Sequence, residues 1–275
     1  MTAKGKARAA RGCVYAGAAF SAGVLVLLVG YILIKGIPHL TPELFALKYN
    51  SENVSLLPAL INTLLMTALA LLISVPFGVG AAIYLTEYAR RGNRLVKLVR
   101  TTAETLAGIP SIIYGLFGSL FFVVALHLEL SLLSGALTLA IMVLPILMRT
   151  TEEALLAVPD SYREGSFGLG AGRLRTTIKI VLPSAMPGIL SGVILAVGRI
   201  VGETAALIYT AGTVPEIAES LSDSARTLSV HMYAISQEGL YLNQSYATAV
   251  VLLVIVIGMN ALSGYLAKKI GGNKG

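Results

Sequence analysis

The sequence predicts an all-α integral membrane protein with six spanning helices, and three observations carry that reading. Of its 275 residues 56% are hydrophobic and only 13% are charged, about half the ~25% of a typical soluble domain. Mean hydropathy is +0.80. Apolar runs of about 20 residues, the length needed to cross a bilayer, recur six times. Together they exclude a disordered chain, a coiled coil, a secreted disulfide scaffold and almost any soluble enzyme. The single cysteine, Cys13, excludes an internal disulfide and a cysteine-based zinc site. Lying at the start of an apolar run, it reads as a small buried thiol.

The first span is Cys13–Ile34. A basic stretch precedes it, as in a signal peptide, but the apolar run exceeds the ~7–15 residues of a signal core, so it reads as a retained span. The second is Leu56–Leu85. The third, Leu106–Leu126, contains Gly108, Pro110, Gly115 and Gly118, which break or thin a helix, with Glu104 and Ser111 beside them. The fourth is Leu132–Met148, the fifth Met186–Ala211 and the sixth Ala247–Ala267. Six spans put both termini on one side. The expected organisation is a single membrane domain, 13–267, between short tails at 1–12 and 268–275.

Charge sets the orientation. Seventeen of the 21 Lys and Arg fall in the two tails, in the connection after span two and in the connection after span four. The opposite face holds Lys35, Lys48 and Arg226. By the positive-inside rule the basic face is cytoplasmic. Topology therefore accounts for the net charge of +7, and a nucleic-acid partner is not needed.

Two connections are long. On the basic face, residues 149–185 begin RTTEEALLAVP, which reads as a short helix ending at Pro159. DSYREGSFGLGAG follows. Ser161 and Glu164 have capping-box spacing, and Gly168, Gly170 and Gly172 stop the helix within about two turns. A capped helix held between two spans is something a partner protein can grip. On the opposite face, residues 212–246 carry Leu221, Ala225, Leu228, Met232 and Ile235 at helical spacing. That pattern predicts an amphipathic helix packed on the spans or lying at the membrane interface, where an extracytoplasmic protein could also touch it.

Span five holds the anomaly. Arg199 lies 13 residues beyond Met186, about 20 Å along a helix and near the bilayer middle. An Arg there costs at least ~2.5–3.5 kcal/mol and almost always faces protein or a watery cavity. Glu203, four residues on, shares its face and can pair with it. Gly188, Gly192, Ala196, Gly202, Ala206 and Thr210 continue the same stripe. Two readings stand: a structural ion pair that locks helices, or a charge lining a translocation path. A guanidinium's forked donors suit phosphate-like oxyanions.

These segments resemble the permease subunits of bacterial binding-protein-dependent ABC importers. That family carries a loop E-A-A-x-x-x-G-x9-I-x-L-P. Here Glu164, Gly165 and Ser166 hold the first three places, Gly170 the glycine, and Ile180, Leu182 and Pro183 the end. Gly165 and Ser166 replace the two alanines. GRIVGETAALIYTAG, ISVPFGVGAAIYLTEYAR and LAGIPSIIYGLFG are similar to segments of phosphate importer permeases of the PstA type. The resemblance runs from about Leu56 to Gly212.

It implies a type I ABC importer permease fold in the bacterial inner membrane, with 149–185 carrying a cytoplasmic coupling helix. Ser161, Glu164, Gly165, Ser166 and Gly170 would then contact the ATPase, and Arg199 and Glu203 would be the transport-critical charges. It also implies an ATP-binding subunit dimer (PstB-like), a second permease (PstC-like) and an extracytoplasmic phosphate-binding protein (PstS-like). No G-x4-G-K-[ST] loop occurs in the chain. ATP is therefore expected on the partner ATPase, with no cofactor or metal on this chain and no catalysis by it. An importer for sulfate or molybdate is the nearest alternative. A membrane-embedded lipid phosphatase would need a nucleophile with an acid–base partner, whereas His39, His127 and His231 are scattered in outer-face loops. A purely structural membrane protein is the remaining rival.

Overall fold

A computed structural model describes the backbone of residues 3–90 and 92–271, and side chains from Arg11 to Tyr265 apart from Arg91 and Ser263. The expected tail ends, residues 1–2 and 272–275 with Lys274, and the side chains of Lys4, Lys6, Arg8, Lys268 and Lys269, lie outside the described residues, as does Arg91. Regular structure among the described residues is helical throughout.

The elements are α1 (Ala3–Gly36), α2 (Leu57–Tyr88), α3 (Arg94–Ala107), α4 (Ser111–Ala125), α5 (Leu132–Leu156), α6 (Asp160–Gly168), α7 (Arg173–Val201), α8 (Ala205–Ile208), α9 (Leu228–Glu238) and α10 (Leu242–Gly271). Five helices are long and apolar enough to cross a membrane singly, and α3 with α4 makes a sixth span bent by 103°. The bend falls at Gly108–Ile109–Pro110. Pro110 lacks an N–H and disfavours helix in the residue before it, so α3 stops at Ala107 and α4 restarts at Ser111.

The fold departs from the sequence reading at several points. Residues 3–12 are helical and continuous with α1, whose membrane-length stretch begins at Arg11, because Ala, Lys and Arg favour helix. Cys13 is exposed, since the N-terminal part of α1 stands clear of the other helices and only its far end packs on α10. RTTEEALLAVP is no separate helix: α5 runs unbroken past the apolar stretch to Leu156. Span five starts earlier and stops earlier than its apolar run, at Arg173 and Val201.

The centre of the bundle is α5, wedged between α2 and α7. Met66 and Ala70 of α2, Leu139, Met142 and Leu147 of α5, and Ala196 and Ile200 of α7 are fully buried together. Lipid is as apolar as these side chains, so close packing rather than water exclusion selects the contact. Glycines make it possible. A Cβ on Gly188 would lie 2.6 Å from the Ala154 Cβ, and one on Gly192 would overlap the Thr150 side chain. Gly192→Val is therefore expected to force α5 and α7 apart and destabilise the fold by about 1–3 kcal/mol. Thermal unfolding in detergent checks this, and an unchanged midpoint would refute the close contact.

Residues 212–227 fold back over the N-terminal ends of α2 and α5. The first N–H groups of α5 have no partners within their own helix. Those of Leu132 and Leu133 donate to the carbonyls of Asp223 (2.8 Å) and Leu221 (3.0 Å), and Ser134 N–H donates to Ser131 Oγ. The Asn62 amide donates to the Glu216 carbonyl and accepts from Ala218 N–H. The amphipathic pattern is realised only from Leu228 onward, in α9. Leu221 belongs instead to a turn closed by the Asp223 carboxylate, which accepts from the N–H groups of Glu219 and Ser220.

Candidate functional site

Two regions gather the residues singled out by the sequence. The first is α6, which follows α5 through Ala157, Val158 and Pro159. Pro159 precedes its first residue, and no side chain caps it. The expected capping box is therefore absent: helix starts two residues earlier than that motif needs, placing Ser161 inside the first turn. The predicted stop is present. α6 ends at Gly168, and Gly170 has φ +80°. A side chain there would meet no neighbour but would carry the left-handed strain of about 1–2 kcal/mol.

Ser161, Glu164 and Gly165 face solvent, while Ser166 is half-buried. The Ser166 hydroxyl hydrogen-bonds the Thr176 hydroxyl at 2.8 Å and so ties α6 to the start of α7. An added Cβ at Gly165 meets nothing within 4 Å, so an alanine would fit where the family pattern has one. Tyr162, Phe167 and Leu169 are exposed, Leu169 by 91%. An apolar rim on a short polar helix needs a cover.

Sequence reasoning missed what holds α6. Arg163 reaches back to the last turn of α2, where its Nη2 lies 2.7 Å from Glu87 Oε1. Its guanidinium also donates to the carbonyls of Val158 (2.8 Å) and Leu155 (2.9 Å). Side-chain exposure is 14% for Arg163 and 8% for Glu87. The hydrogen bond to Glu87 raises the guanidinium's pKa above its ordinary value against the opposing effect of burial. That last turn of α2, Tyr84–Tyr88, is π-helical, a local widening common at functional sites. Arg173 stacks over the Tyr88 ring at 5.8 Å. Glu87 and Arg163 are 76 residues apart, and no short-range motif links them. Beside the clamp, a cavity of about 710 Å³ opens between α2, α3 and α6, lined by Glu87, Arg90, Arg100, Asp160, Arg163 and Arg173.

The second region is the break in span five. α7 ends at Val201, and Gly202 and Glu203 leave the helix before α8 begins at Ala205. The Glu203 carboxylate turns inward, 8% exposed, and accepts from Ala206 N–H at 3.1 Å. It thus caps α8 instead of pairing with Arg199. The expected ion pair does not form, because the i, i+4 geometry requires a continuous helix. Much of the small-residue stripe is also accounted for by packing: Gly188 and Gly192 lie against α5, and Ala206 faces Gly115 of α4, whose Cβ would sit 2.7 Å from the Ala206 Cα.

Arg199 remains. It is half-buried in the last turn of α7 and makes no hydrogen bond or ion pair to any described residue. Tyr114 of α4 lies within its electrostatic reach. The break also frees backbone groups beyond Val201, which within a bilayer are tolerated only inside protein or beside a cavity. On the basic side a second cavity, about 470 Å³, lies between α3, α5 and α7. Its lining includes Glu104, Arg149, Glu152, Glu153 and Leu195. Arg100, also on its wall, pairs with Glu152, and Arg149 with Glu153. Ser111 does not line it.

Comparison with known proteins agrees with this architecture. Residues 74–272 match the family model described as "Binding-protein-dependent transport system inner membrane component". A probable ABC transporter permease of Bacillus subtilis, YqgI, is 34% identical over 81% of this chain and 81% of its own length. The phosphate transport system permease protein PstA of Haemophilus influenzae is 35% identical, covering 83% of this chain and 82% of that one. Among solved structures, a bacterial alginate ABC transporter in complex with its alginate-loaded periplasmic protein superposes with a TM-score of 0.66 at 15% identity, over 95% of this chain and 96% of the other. At that identity the likeness speaks for the fold alone.

Proposed function

The chain belongs to the binding-protein-dependent transport system inner membrane component family, and from that membership we propose that it is the permease subunit of an ATP-driven importer of inorganic phosphate. It is a transport component and not an enzyme, and it is a multi-pass membrane protein. The observation that carries the cargo is Arg199, a guanidinium in the last turn of α7 whose forked donors are left open beside a helix break. That donor pattern suits a tetrahedral oxyanion, and a relative of similar length is named for phosphate.

The remaining assignments follow the same logic. ATP is bound by a separate ATPase subunit, PstB-like, which grips the exposed rim of α6; Ser161, Glu164, Gly165, Ser166 and Gly170 form that contact. A PstC-like second permease completes the path, and a PstS-like binding protein delivers phosphate from outside. The basic face, with α6 and both termini, is cytoplasmic by the positive-inside rule. Glu203 shapes the break next to Arg199 rather than neutralising it.

Reconstituting the chain with those partners in proteoliposomes tests the cargo. ATP-dependent accumulation of labelled phosphate that requires the binding protein is the expected result. Accumulation of sulfate or molybdate in its place would move the assignment to another oxyanion.

A further inference from the structure

A second cationic centre lies at the outer end of the bundle, apart from Arg199 and α6. Arg226 is 4% exposed and His231 is fully buried. The Nε and Nη2 of Arg226 are buried with no hydrogen-bond partner, and the His231 ring is buried against the Val54 backbone. The guanidinium lies over the Tyr49 ring at 5.0 Å, and the same ring meets His231 edge-on at 6.1 Å. No carboxylate among the described residues pairs with Arg226.

Burial and the adjacent guanidinium push the His231 imidazole down to about 3. The ring is therefore neutral beside the Arg226 guanidinium. A buried guanidinium with open donors and no counter-charge is a costly arrangement. The surrounding backbone is built to hold it. Val54, whose backbone faces the His231 ring, sits fully buried at φ +45°, a conformation that a β-branched residue rarely adopts. Arg226 N–H donates to the Val214 carbonyl, and the Leu228 N–H donates to Thr63 Oγ1 at 2.8 Å. Three residues from Arg226, the Ser229 hydroxyl donates to the Glu203 carbonyl. The outer centre is thus joined by direct contacts to the break beside Arg199.

We propose that Arg226 and His231 form an outer oxyanion site that receives the transported anion before it reaches Arg199. The open Nε–H and Nη2–H groups of Arg226 are the donors to a tetrahedral oxyanion there, with Tyr49 as the platform and the His231 ring packed against it. For the identity of the anion, phosphate, this rests on the cargo reading above; for the existence of the site it does not.

The test uses the complete transporter in detergent, with its second permease and ATPase but without the binding protein. Unfolding midpoints are measured against inorganic phosphate, sulfate and chloride at low millimolar concentration, where general salt effects are small. Phosphate is expected to raise the wild-type midpoint saturably by roughly 2–4 °C, and to do the same in Arg199→Gln. Arg226→Met is expected to raise the phosphate-free midpoint, because an unpaired buried charge is gone, and to abolish the phosphate increment. His231→Asn should weaken the increment. The site is overturned if wild type shows no anion increment, if Arg226→Met keeps it, or if Arg226→Met lowers the phosphate-free midpoint or blocks assembly, since the residue is then structural. An increment with sulfate alone, lost in Arg226→Met, upholds the site and moves the cargo away from phosphate.

Discussion

Arg199→Gln is expected to cut phosphate uptake by at least about 100-fold, a loss of about 2.7 kcal/mol in the step it limits, while the complex assembles normally. Arg199 makes no hydrogen bond or ion pair to a described residue, so removing its charge strands no partner. A half-buried guanidinium without a counter-charge is itself unfavourable, so Gln should leave the unfolding midpoint unchanged or raise it. Arg199→Lys keeps the charge but loses the planar fork, and partial uptake is expected. Wild-type uptake by the Gln variant would remove Arg199 from the path. A fall in uptake accompanied by an equal fall in complex yield would assign it to structure instead.

Glu87→Gln is expected to uncouple transport from ATP hydrolysis. The ion pair with Arg163 is largely buried, and losing one member of such a pair typically costs about 3–5 kcal/mol. Arg163 still holds the carbonyls of Val158 and Leu155, so α6 stays folded and exposed to the ATPase. What is lost is its link to the last turn of α2. Phosphate moved per ATP should fall at least tenfold while the ATPase still co-purifies. Glu87→Asp, which keeps the charge on a shorter arm, should recover part of the ratio. If the Gln variant keeps the wild-type ratio, the clamp carries no motion between α6 and α2.

Several features were legible because they depend on short-range pattern. Long apolar runs marked the membrane helices. Gly108 and Pro110 marked the break in span three, as a residue without an N–H must. Gly168 and Gly170 marked the end of α6. Other features misled for equally local reasons. Ser161 and Glu164 have capping-box spacing, yet Pro159 lets the helix begin before Ser161 can cap it. Arg199 and Glu203 have ion-pair spacing, yet Gly202 and the Ala206 N–H draw Glu203 out of helical register. The small-residue stripe of span five ran along the face of Arg199, yet its Gly188 and Gly192 are taken up by packing on Ala154 and Thr150.

The sequence alone determined that this chain needs lipid as its solvent, where most of its helices lie, and which face carries the cations, because hydrophobic length and charge are properties of consecutive residues. Tertiary structure alone decided that Arg163 locks onto Glu87, that Glu203 caps a helix, and that Arg226 and His231 are buried together without a counter-charge. Each of those depends on a backbone break or on contact between residues distant along the chain. Such contacts are selected by packing and hydrogen-bond satisfaction across helices, which no linear periodicity encodes.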